Sequence, residues 1–262
     1  MVRGKRYWSA LCAILLLAPV ASHAATIAIP SLSGSVEVVG MMTKNFNFNV
    51  MSSNILPQGS GSAYQFMGSD LANNGSIDVW NYNWSILADA DPFIDSTFTI
   101  INLTGGTRTF NVSFGLPVST GFSPAFKSGL LGLDFSDANG DGSASVTVNS
   151  WNGLIDGTSA MTLFAVAIPC SGTNCTGSVA PVTDGPLLHA AGVSTDIGNT
   201  LSFDLSAGDS VTVHTRFEVT PVPVPATAWL FGSALGLLGW LRRKKRSGSD
   251  QRNSLFIQEK YL

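Results

Sequence analysis

Between residues 30 and 220, apolar side chains return at every second position, and this alternation restricts the folds open to the chain. The clearest runs cover residues 45–50, 80–84, 110–116 and 211–219. Because successive side chains of a β-strand point to opposite faces, each run would give one apolar and one polar face. A helix needs apolar spacing of about 3.6 residues, and no window longer than about twelve residues keeps it here. The pattern therefore predicts β-strands.

Turn-forming residues separate these runs. Clusters rich in Gly, Asn and Ser occupy residues 58–61, 73–75, 104–106 and 139–142, and such residues favour tight connections between strands. Strands with a single apolar face need a second sheet to cover that face. We therefore expect one antiparallel β-sandwich of about eight to ten strands over residues 25–220, with a β-barrel as the alternative.

The charges are unevenly distributed along the chain. The net charge is only −3, but residues 25–220 hold 15 of the 17 acidic residues and four of the 14 basic ones. Nucleic-acid binding depends mainly on basic side chains that contact phosphates, so an acidic body argues against a nucleic-acid partner. Basic ends on either side of an acidic body are typical of membrane topology signals around an exported domain.

The first 24 residues have the three parts of a secretory signal peptide. Three basic residues among the first six precede ten apolar residues at 11–20. Ser22 and Ala24 then place small side chains at the two positions that signal peptidase inspects, which predicts cleavage between Ala24 and Ala25. An uncleaved anchor is the alternative, but the apolar stretch is too short to span a bilayer comfortably.

A second apolar segment lies near the C-terminus, at residues 226–241, and only Thr227 and Ser233 within it are polar. As an α-helix its 16 residues would rise about 24 Å, against about 30 Å for the hydrocarbon core of a bilayer. Tryptophan and basic side chains at its ends can bridge the difference. Five basic residues follow at 242–246, which predicts a transmembrane helix with residues 25–220 outside the cytoplasm. A buried core helix is the alternative, but it leaves the basic cluster unexplained.

The order of these C-terminal features resembles a known sorting signal. A proline-rich tetrad at 222–225, an apolar helix and a basic cluster together are similar to the PEP-CTERM protein-sorting signal, in its VPLPA-type variant. The resemblance covers residues 221–246; Val224 stands where leucine is commoner, and residues 247–262 extend past the usual basic end as a predicted cytoplasmic tail. The matching residues are Val222, Pro223, Pro225 and Ala226 in the motif, Trp229, Gly232 and Ser233 at the start of the helix, and Arg242 and Arg243 in the basic cluster.

This resemblance implies a route of export and a class of function. PEP-CTERM signals are read by exosortases, membrane cysteine transpeptidases of Gram-negative bacteria that make extracellular polysaccharide. The resemblance thus implies an inner-membrane intermediate, cleavage near the motif, and a final position at the cell surface or in the extracellular matrix. Residues 89–118 are also similar to ectodomains of such proteins, which implies a fold only. We expect a non-enzymatic surface protein associated with extracellular polysaccharide.

The segment 137–143 has the first half of a calcium-binding loop. Asp137, Asn139 and Asp141 offer oxygen ligands at alternate positions, a glycine follows for a sharp turn, and Ser143 comes next. Hard cations such as Ca²⁺ prefer oxygen ligands at this spacing. The pattern predicts a structural calcium site, with a plain hairpin turn as the alternative, because Asn-Gly and Asp-Gly pairs also favour tight turns.

The second half of the calcium pattern is missing. An EF-hand places a bidentate glutamate at position 12, where this chain has Val148. Flanking helices are also not predicted, so the segment is not an EF-hand. A closing ligand would have to come from Asp134, Ser145 or Asp156.

Two cysteines remain after removal of the signal peptide, Cys170 and Cys175. In an oxidising compartment a pair this close in sequence can form a small structural disulfide. The alternative is a thiol redox site, which usually has two intervening residues and a following helix. We expect the disulfide.

Two further functions are open from the residues alone. Trp80, Tyr82 and Trp84 could form an aromatic platform for a carbohydrate-binding or adhesive module, although alternating aromatics in a sandwich are more often core. A secreted hydrolase would need His189 or His214 beside a serine or a carboxylate in a cleft. The sequence has no nucleophile-elbow, zinc-protease or phosphate-loop motif, so we expect a protein that is not an enzyme.

Overall fold

The computed structural model describes residues 31–48, 55–57, 63–75, 77–89, 92–163 and 169–223, and six positions of a C-terminal helix at 231, 233–236 and 238. These residues contain fifteen strands, and every pairing between neighbouring strands is antiparallel. The predicted signal peptide, its cleavage site at Ala24 and Ala25, the basic cluster at 242–246 and the tail at 247–262 lie outside the described residues.

The first sheet has six strands. In spatial order they are β11 (Thr158–Leu163), β10 (Val146–Ile155), β14 (Asp196–Leu205), β7 (Arg108–Pro117), β1 (Ser33–Val38) and β2 (Met42–Asn47). Neighbours in sequence form hairpins at both edges, whereas the central pairing of β14 with β7 joins strands far apart in the chain.

The second sheet has seven strands. In spatial order they are β13 (Thr176–His189), β8 (Ala125–Ser136), β15 (Ser210–Pro221), β6 (Phe93–Asn102), β5 (Asp78–Asp89), β4 (Tyr64–Asn73) and β3 (Ile55–Pro57). The last strand of the chain, β15, thus lies between β8 and β6 and pairs with both. A short ribbon of β9 (Ser143–Ala144) and β12 (Cys170–Ser171) stands beside the two sheets.

The predicted alternation agrees with the burial of the strands. On β15, Val211, Val213, Phe217 and Val219 are fully buried, while the residues between them are partly or fully exposed, except for the buried Thr215. Burial of aliphatic and aromatic side chains contributes about 1.5–3 kcal/mol each to folding, so a strand with one apolar face is stable only when that face is covered.

Aromatic contacts join the two sheets across one core. The ring centroids of Phe98 on β6 and Phe114 on β7 are 5.9 Å apart, and those of Trp151 on β10 and Phe217 on β15 are 6.1 Å apart. The apolar residues of both sheets belong to a single buried cluster. The described strands therefore form two open sheets packed as a β-sandwich, and not the single closed sheet of the barrel alternative.

The exposed edge strand β13 is irregular. Its pairing with β8 shifts register twice, between Val179 and Val182 and between Asp184 and Leu187. It also contains Pro181 and Pro186, which cannot donate a backbone hydrogen bond. Bulges and prolines are the usual means by which an exposed sheet edge is kept from pairing with another chain, and this edge has both.

Candidate functional site

The segment 137–142, called the Asp137 loop below, is folded around the Asp137 carboxylate. Its Oδ1 accepts hydrogen bonds from the backbone N–H groups of Gly140 at 2.7 Å and Asp141 at 3.2 Å. Its Oδ2 accepts from the N–H groups of Gly142 and Asn174, both at 3.0 Å. Gly140 and Gly142 have φ of +77° and +95°, a conformation that glycine adopts without strain. Asp137 is thus the residue that organises the loop.

These hydrogen bonds also set the charge of Asp137. The side chain is almost fully buried, and burial alone raises the pKa of a carboxyl group. The backbone N–H groups of Gly142, Gly140, Asn174 and Asp141 lower the pKa by more, because they stabilise the ionised form. The net pKa of Asp137 lies below its usual range, so the loop contains a carboxylate anion at neutral pH.

The other predicted ligands lie on the outer side of the Asp137 loop. Asn139 accepts from the backbone N–H of Asp141 at 2.9 Å, and its Nδ2 donates to the carbonyl oxygen of Ala207 at 2.9 Å and to Oδ2 of Asp141 at 3.1 Å. Oδ1 of Asp141 accepts from the N–H of Ser143 at 3.0 Å and from its hydroxyl at 3.2 Å. Asn139, Asp141 and Ser143 are exposed.

The segment that contains the two cysteines is hydrogen-bonded to the Asp137 loop. Cys170 and Cys175 are joined by a disulfide, with Cα atoms 5.9 Å apart. The N–H of Asp137 donates to the carbonyl of Cys175 at 2.9 Å, and the N–H of Gly172 donates to the carbonyl of Gly142 at 2.8 Å. The disulfide segment and the Asp137 loop are therefore one hydrogen-bonded unit.

A further carboxylate, Asp209, reaches the loop from the connection between β14 and β15. Asp209 is fully buried. Its Oδ2 accepts from the hydroxyl of Ser206, and the backbone N–H of Ala138 also stabilises the carboxylate. Its Oδ1 is buried and makes no close hydrogen bond among the described residues. Burial raises the pKa of Asp209, a hydrogen bond from Ser206 opposes this rise, and the negative charges of Asp141 and Asp137 add to it.

The sequence pattern did not predict a role for Asp209. It lies beyond Ala207 and Gly208, where an aspartate is ordinary in a turn. One sequence feature could have pointed to Asp209. It is an acid two positions before the strongly alternating run 211–219. An acid at such a strand boundary can lie at the same end of the sheet as another loop.

The three closing ligands considered from sequence have different positions. Ser145 lies beside the Asp137 loop, but its N–H donates to the hydroxyl of Ser206 at 2.7 Å. Asp134 lies on the outward face of β8. Asp156 is wrong as a closing ligand, because it lies at the far end of β10, where its carboxylate accepts from the N–H groups of Ser194 and Thr195.

Among the described residues, no group of three or more His, Cys, Asp or Glu side chains is already arranged to hold a metal ion. The Asp137 loop is held around one carboxylate anion, and the carboxylates of Asp141, within the loop, and Asp209, beside it, do not form such a group.

The prediction that Trp80, Tyr82 and Trp84 form an exposed aromatic platform is wrong, and their alternative place in the core is confirmed. Trp80 and Tyr82 are fully buried and Trp84 is 4% exposed. All three belong to the core, where the ring of Trp84 lies 5.4 Å from that of Phe46, centroid to centroid. Buried rings cannot stack on a sugar from solution, so these residues give no support to a carbohydrate-binding function.

The two histidines lie on separate parts of the second sheet. Nδ1 of His214 lies 2.9 Å from Oγ1 of Thr97 on the outward face of the second sheet. His189 is at the end of the edge strand β13. Neither ring has a hydrogen bond to a serine or a carboxylate among the residues that the structure describes, which a nucleophile–base pair would need.

A shallow polar groove of about 500 Å³ lies on the outward face of the second sheet. It crosses β13, β8 and β15, and its floor contains hydroxyl groups and a single carboxylate. The polar side chains that line it are Asp134, Ser136, Thr176, Ser178, Ser210 and Thr212.

The predicted sorting motif begins where the sandwich ends. Val222 donates its N–H to the carbonyl of Pro124 at 3.1 Å, and Pro223 is exposed. The matching residues Pro225, Ala226, Trp229, Gly232, Arg242 and Arg243 lie outside the described residues, whereas Ser233 is in the described part of the C-terminal helix.

The described large apolar side chains of that helix are outside the core. Phe231 is 67% exposed, Leu235 52% and Leu238 62%. No helix within the described part of the chain has both the length and the apolar character needed to cross a membrane.

A comparison of the chain with known protein families found no matching family, and a comparison with curated proteins found no matching protein.

Proposed function

We propose that this chain is an exported, non-enzymatic envelope protein of a Gram-negative bacterium, sorted through its C-terminal segment by an exosortase. The β-sandwich would be displayed at the cell surface or released into an extracellular polysaccharide matrix. The observation that carries this proposal is the apolar C-terminal helix, whose described side chains do not pack into the sandwich.

The exposed residues Phe231, Leu235 and Leu238 are spaced four and three positions apart, so they share one face of a helix. Exposing such a face to water costs about 25 cal/mol for each Å² of apolar surface. A lipid bilayer removes that cost, and the basic residues 242–246 supply the orientation signal at its cytoplasmic side. The membrane is thus the environment that suits this segment before processing.

The position of the motif supports access by a processing enzyme. Strand β15 ends at Pro221, and the Val222 N–H is the last described backbone contact with the sandwich before the exposed Pro223. Because prolines at 223 and 225 resist regular secondary structure, they separate the folded body from the helix. A transpeptidase at the membrane surface could reach this segment without unfolding the sandwich.

The disulfide between Cys170 and Cys175 agrees with export. Disulfide bonds persist in oxidising compartments such as the bacterial periplasm and are rare in the cytosol. The bond lies inside the hydrogen-bonded unit of the Asp137 loop, so it forms part of the folded body.

The experiment compares three forms of the full-length gene in a host with an active exosortase. The wild type should yield a mature chain that begins at Ala25 and ends between Pro223 and Ala226, as measured by intact mass. Changing Pro223 and Pro225 to alanine should leave the protein in the inner membrane with its helix attached. The matched control is Pro221→Ala, which changes a neighbouring proline outside the motif and should leave processing unchanged.

Two outcomes would contradict the proposal. One is recovery of the wild-type chain through Leu262 from the cell surface of that host. The other is identical processing of the wild type and the double proline variant, since recognition would then not depend on the motif.

A further inference from the structure

We propose that the Asp137 loop and Asp209 together form a binding site for one calcium-class cation, in which Asp209 is the buried ligand. Asp141 and Asn139 would supply the outer oxygen ligands, while Asp137 holds the backbone of the loop. This inference goes beyond the sorting function and does not depend on it, because it concerns the folded body alone.

The observation that carries the inference is the unpartnered oxygen of Asp209. The residue is fully buried, and Oδ1 has no hydrogen-bond partner within the described part of the chain. The carboxylate accepts from Ser206 and from the backbone N–H of Ala138, but no basic side chain balances its charge, and buried charges in proteins are normally paired or coordinate a metal ion. The ion pairs formed by the described residues involve only Lys44 and Arg216, whose partners lie outside this cluster.

The turn that carries Asp209 packs directly on the Asp137 loop. A Cβ atom added to Gly208 would lie 2.3 Å from Nδ2 of Asn139, and that Nδ2 donates to the carbonyl of Ala207 at 2.9 Å. The carboxylate of Asp209 also accepts a hydrogen bond from the backbone N–H of Ala138, which is in the loop, and the negative charges of Asp141 and Asp137 act on it. Three carboxyl groups thus lie in this part of the fold, and the described residues provide no cation to balance them.

The ligand atoms available at the proposed site favour Ca²⁺ over other metals. The site would contain carboxylate, amide and carbonyl oxygens, with no cysteine sulfur or histidine nitrogen from the described residues, and hard cations prefer such ligands. Mg²⁺ requires near-ideal octahedral geometry, whereas Ca²⁺ accepts six to eight oxygens in a flexible arrangement. Asp141 is exposed, and among the described residues its side chain bonds only with Asn139 and Ser143, so it can turn toward Asp209 at little cost.

The first test is the melting of the full chain in detergent, followed by tryptophan fluorescence. Samples would contain EDTA, 5 mM MgCl₂ or 5 mM CaCl₂. Extracellular calcium sites bind with a Kd of about 10⁻⁴–10⁻³ M, so calcium should raise the melting temperature by about 2–8 °C relative to EDTA. Magnesium should give less than half of that rise. Equilibrium dialysis should find one bound calcium ion per chain.

The second test separates the proposed ligand from a structural role. Asp209→Asn keeps the size of the side chain and removes its charge, so it should abolish the calcium-dependent rise. It should also raise the melting temperature in EDTA, because it relieves repulsion from Asp137 and Asp141. A merely structural carboxylate would instead lower stability in both conditions. Asp184→Asn is the matched control, an exposed acid on the edge strand β13, and should retain the full calcium response.

The proposal is overturned if the wild type shows no calcium-dependent rise, or if Asp209→Asn retains that rise. If Asp209→Asn does not fold, Asp141→Asn decides, because it changes an exposed residue. Its calcium affinity should fall at least tenfold, and an unchanged affinity would also overturn the proposal.

Discussion

The indole N–H of Trp151 donates a 2.5 Å hydrogen bond to the hydroxyl of Thr215 across the interior of the sandwich. Trp151 lies on β10 of the first sheet and Thr215 on β15 of the second, and both are buried. Asn199 on β14 donates to the same hydroxyl at 3.4 Å. One threonine thus satisfies two buried donors from the opposite sheet, and this polar link fixes how the two sheets face each other.

Replacing Thr215 by valine should destabilise the protein without changing its shape. Valine has nearly the same volume, but it leaves the Trp151 N–H and the Asn199 amide without an acceptor. An unsatisfied buried donor costs about 1–3 kcal/mol, so we expect the free energy of unfolding to fall by about 2 kcal/mol. Urea denaturation of the full chain measures this. Thr212→Val, on the outward face of the same strand, should change stability by less than about 1 kcal/mol; equal losses would show that Thr215 has no special role.

Asn102 should be among the most sensitive polar positions. Its Nδ2 donates to the carbonyls of Gly106, Leu205 and Ser206 at 2.9–3.0 Å, and its Oδ1 accepts from the N–H and hydroxyl of Thr104. Asn102→Leu leaves these buried groups unpaired, so we expect a loss of about 2–4 kcal/mol, measured by urea denaturation.

The control for Asn102 is Asn111→Leu. Asn111 contacts Glu37 on the outer face of the first sheet, where water can replace the lost hydrogen bond, so a loss below about 1 kcal/mol is expected. If Asn102→Leu lowers the free energy of unfolding by no more than Asn111→Leu does, burial of the hydrogen bonds is not what makes Asn102 important.

Asp156 should make stability depend on acid pH. Partial desolvation raises the pKa of its carboxyl, but hydrogen bonds from the Ser194 side chain and the N–H groups of Thr195, Ser194 and Asp196 lower the pKa by more, to well below its usual range. A carboxyl with a lowered folded-state pKa stabilises the fold above its unfolded pKa of about 3.9, and this contribution is lost as the pH falls through the lower, folded-state pKa.

Asp156→Asn tests this dependence. Asparagine also tolerates the positive φ of 50° at this position, so the backbone stays unstrained. The variant should be less stable than the wild type at pH 7 by about 1 kcal/mol, after allowance for solvent screening, and the difference should shrink toward pH 2. Urea midpoints at pH 7, 4 and 2 measure it. A difference that stays constant over this range would mean that charge is not the cause.

The disulfide should contribute a measurable part of the stability. A bond that closes the short segment between Cys170 and Cys175 restricts the unfolded chain by about 2 kcal/mol. The double change to serine should lower the free energy of unfolding by that amount, and so should dithiothreitol added to the wild type. The reductant should have no further effect on the double variant; if it does, the loss has another origin.

The sequence predicted the strands and their buried faces because the alternation depends only on local geometry. The alternation in residues 211–219 also places Thr215 on the inner face and Thr212 on the outer face. It could not show that the Thr215 hydroxyl meets Trp151, because this contact depends on the register of β15 against β6 and β8 and on how the two sheets pack.

At the Asp137 loop, too, the sequence predicted the local turn but not the contact with a distant part of the chain. The local turn was predictable from Asn-Gly and Asp-Gly pairs. Asp209 lies about 70 positions further along the chain, and only the pairing of β15 beside β8 brings it to the same end of the sheet. Asp156 was a reasonable ligand by sequence distance, but the length of β10 carries it away from the loop.

The interior position of β15 would have a consequence for the timing of the proposed export. A chain that crosses a membrane from its N-terminus delivers β15 last, yet this strand fills the space between β6 and β8. Until it arrives, both neighbours expose unpaired backbone edges and the Trp151 indole has no Thr215 to bond. In the export route that we propose, the sandwich would therefore close only when residue 221 has emerged, as the apolar C-terminal segment would enter the bilayer. Completion of the fold and arrival of the proposed sorting signal would in this way be coupled in time.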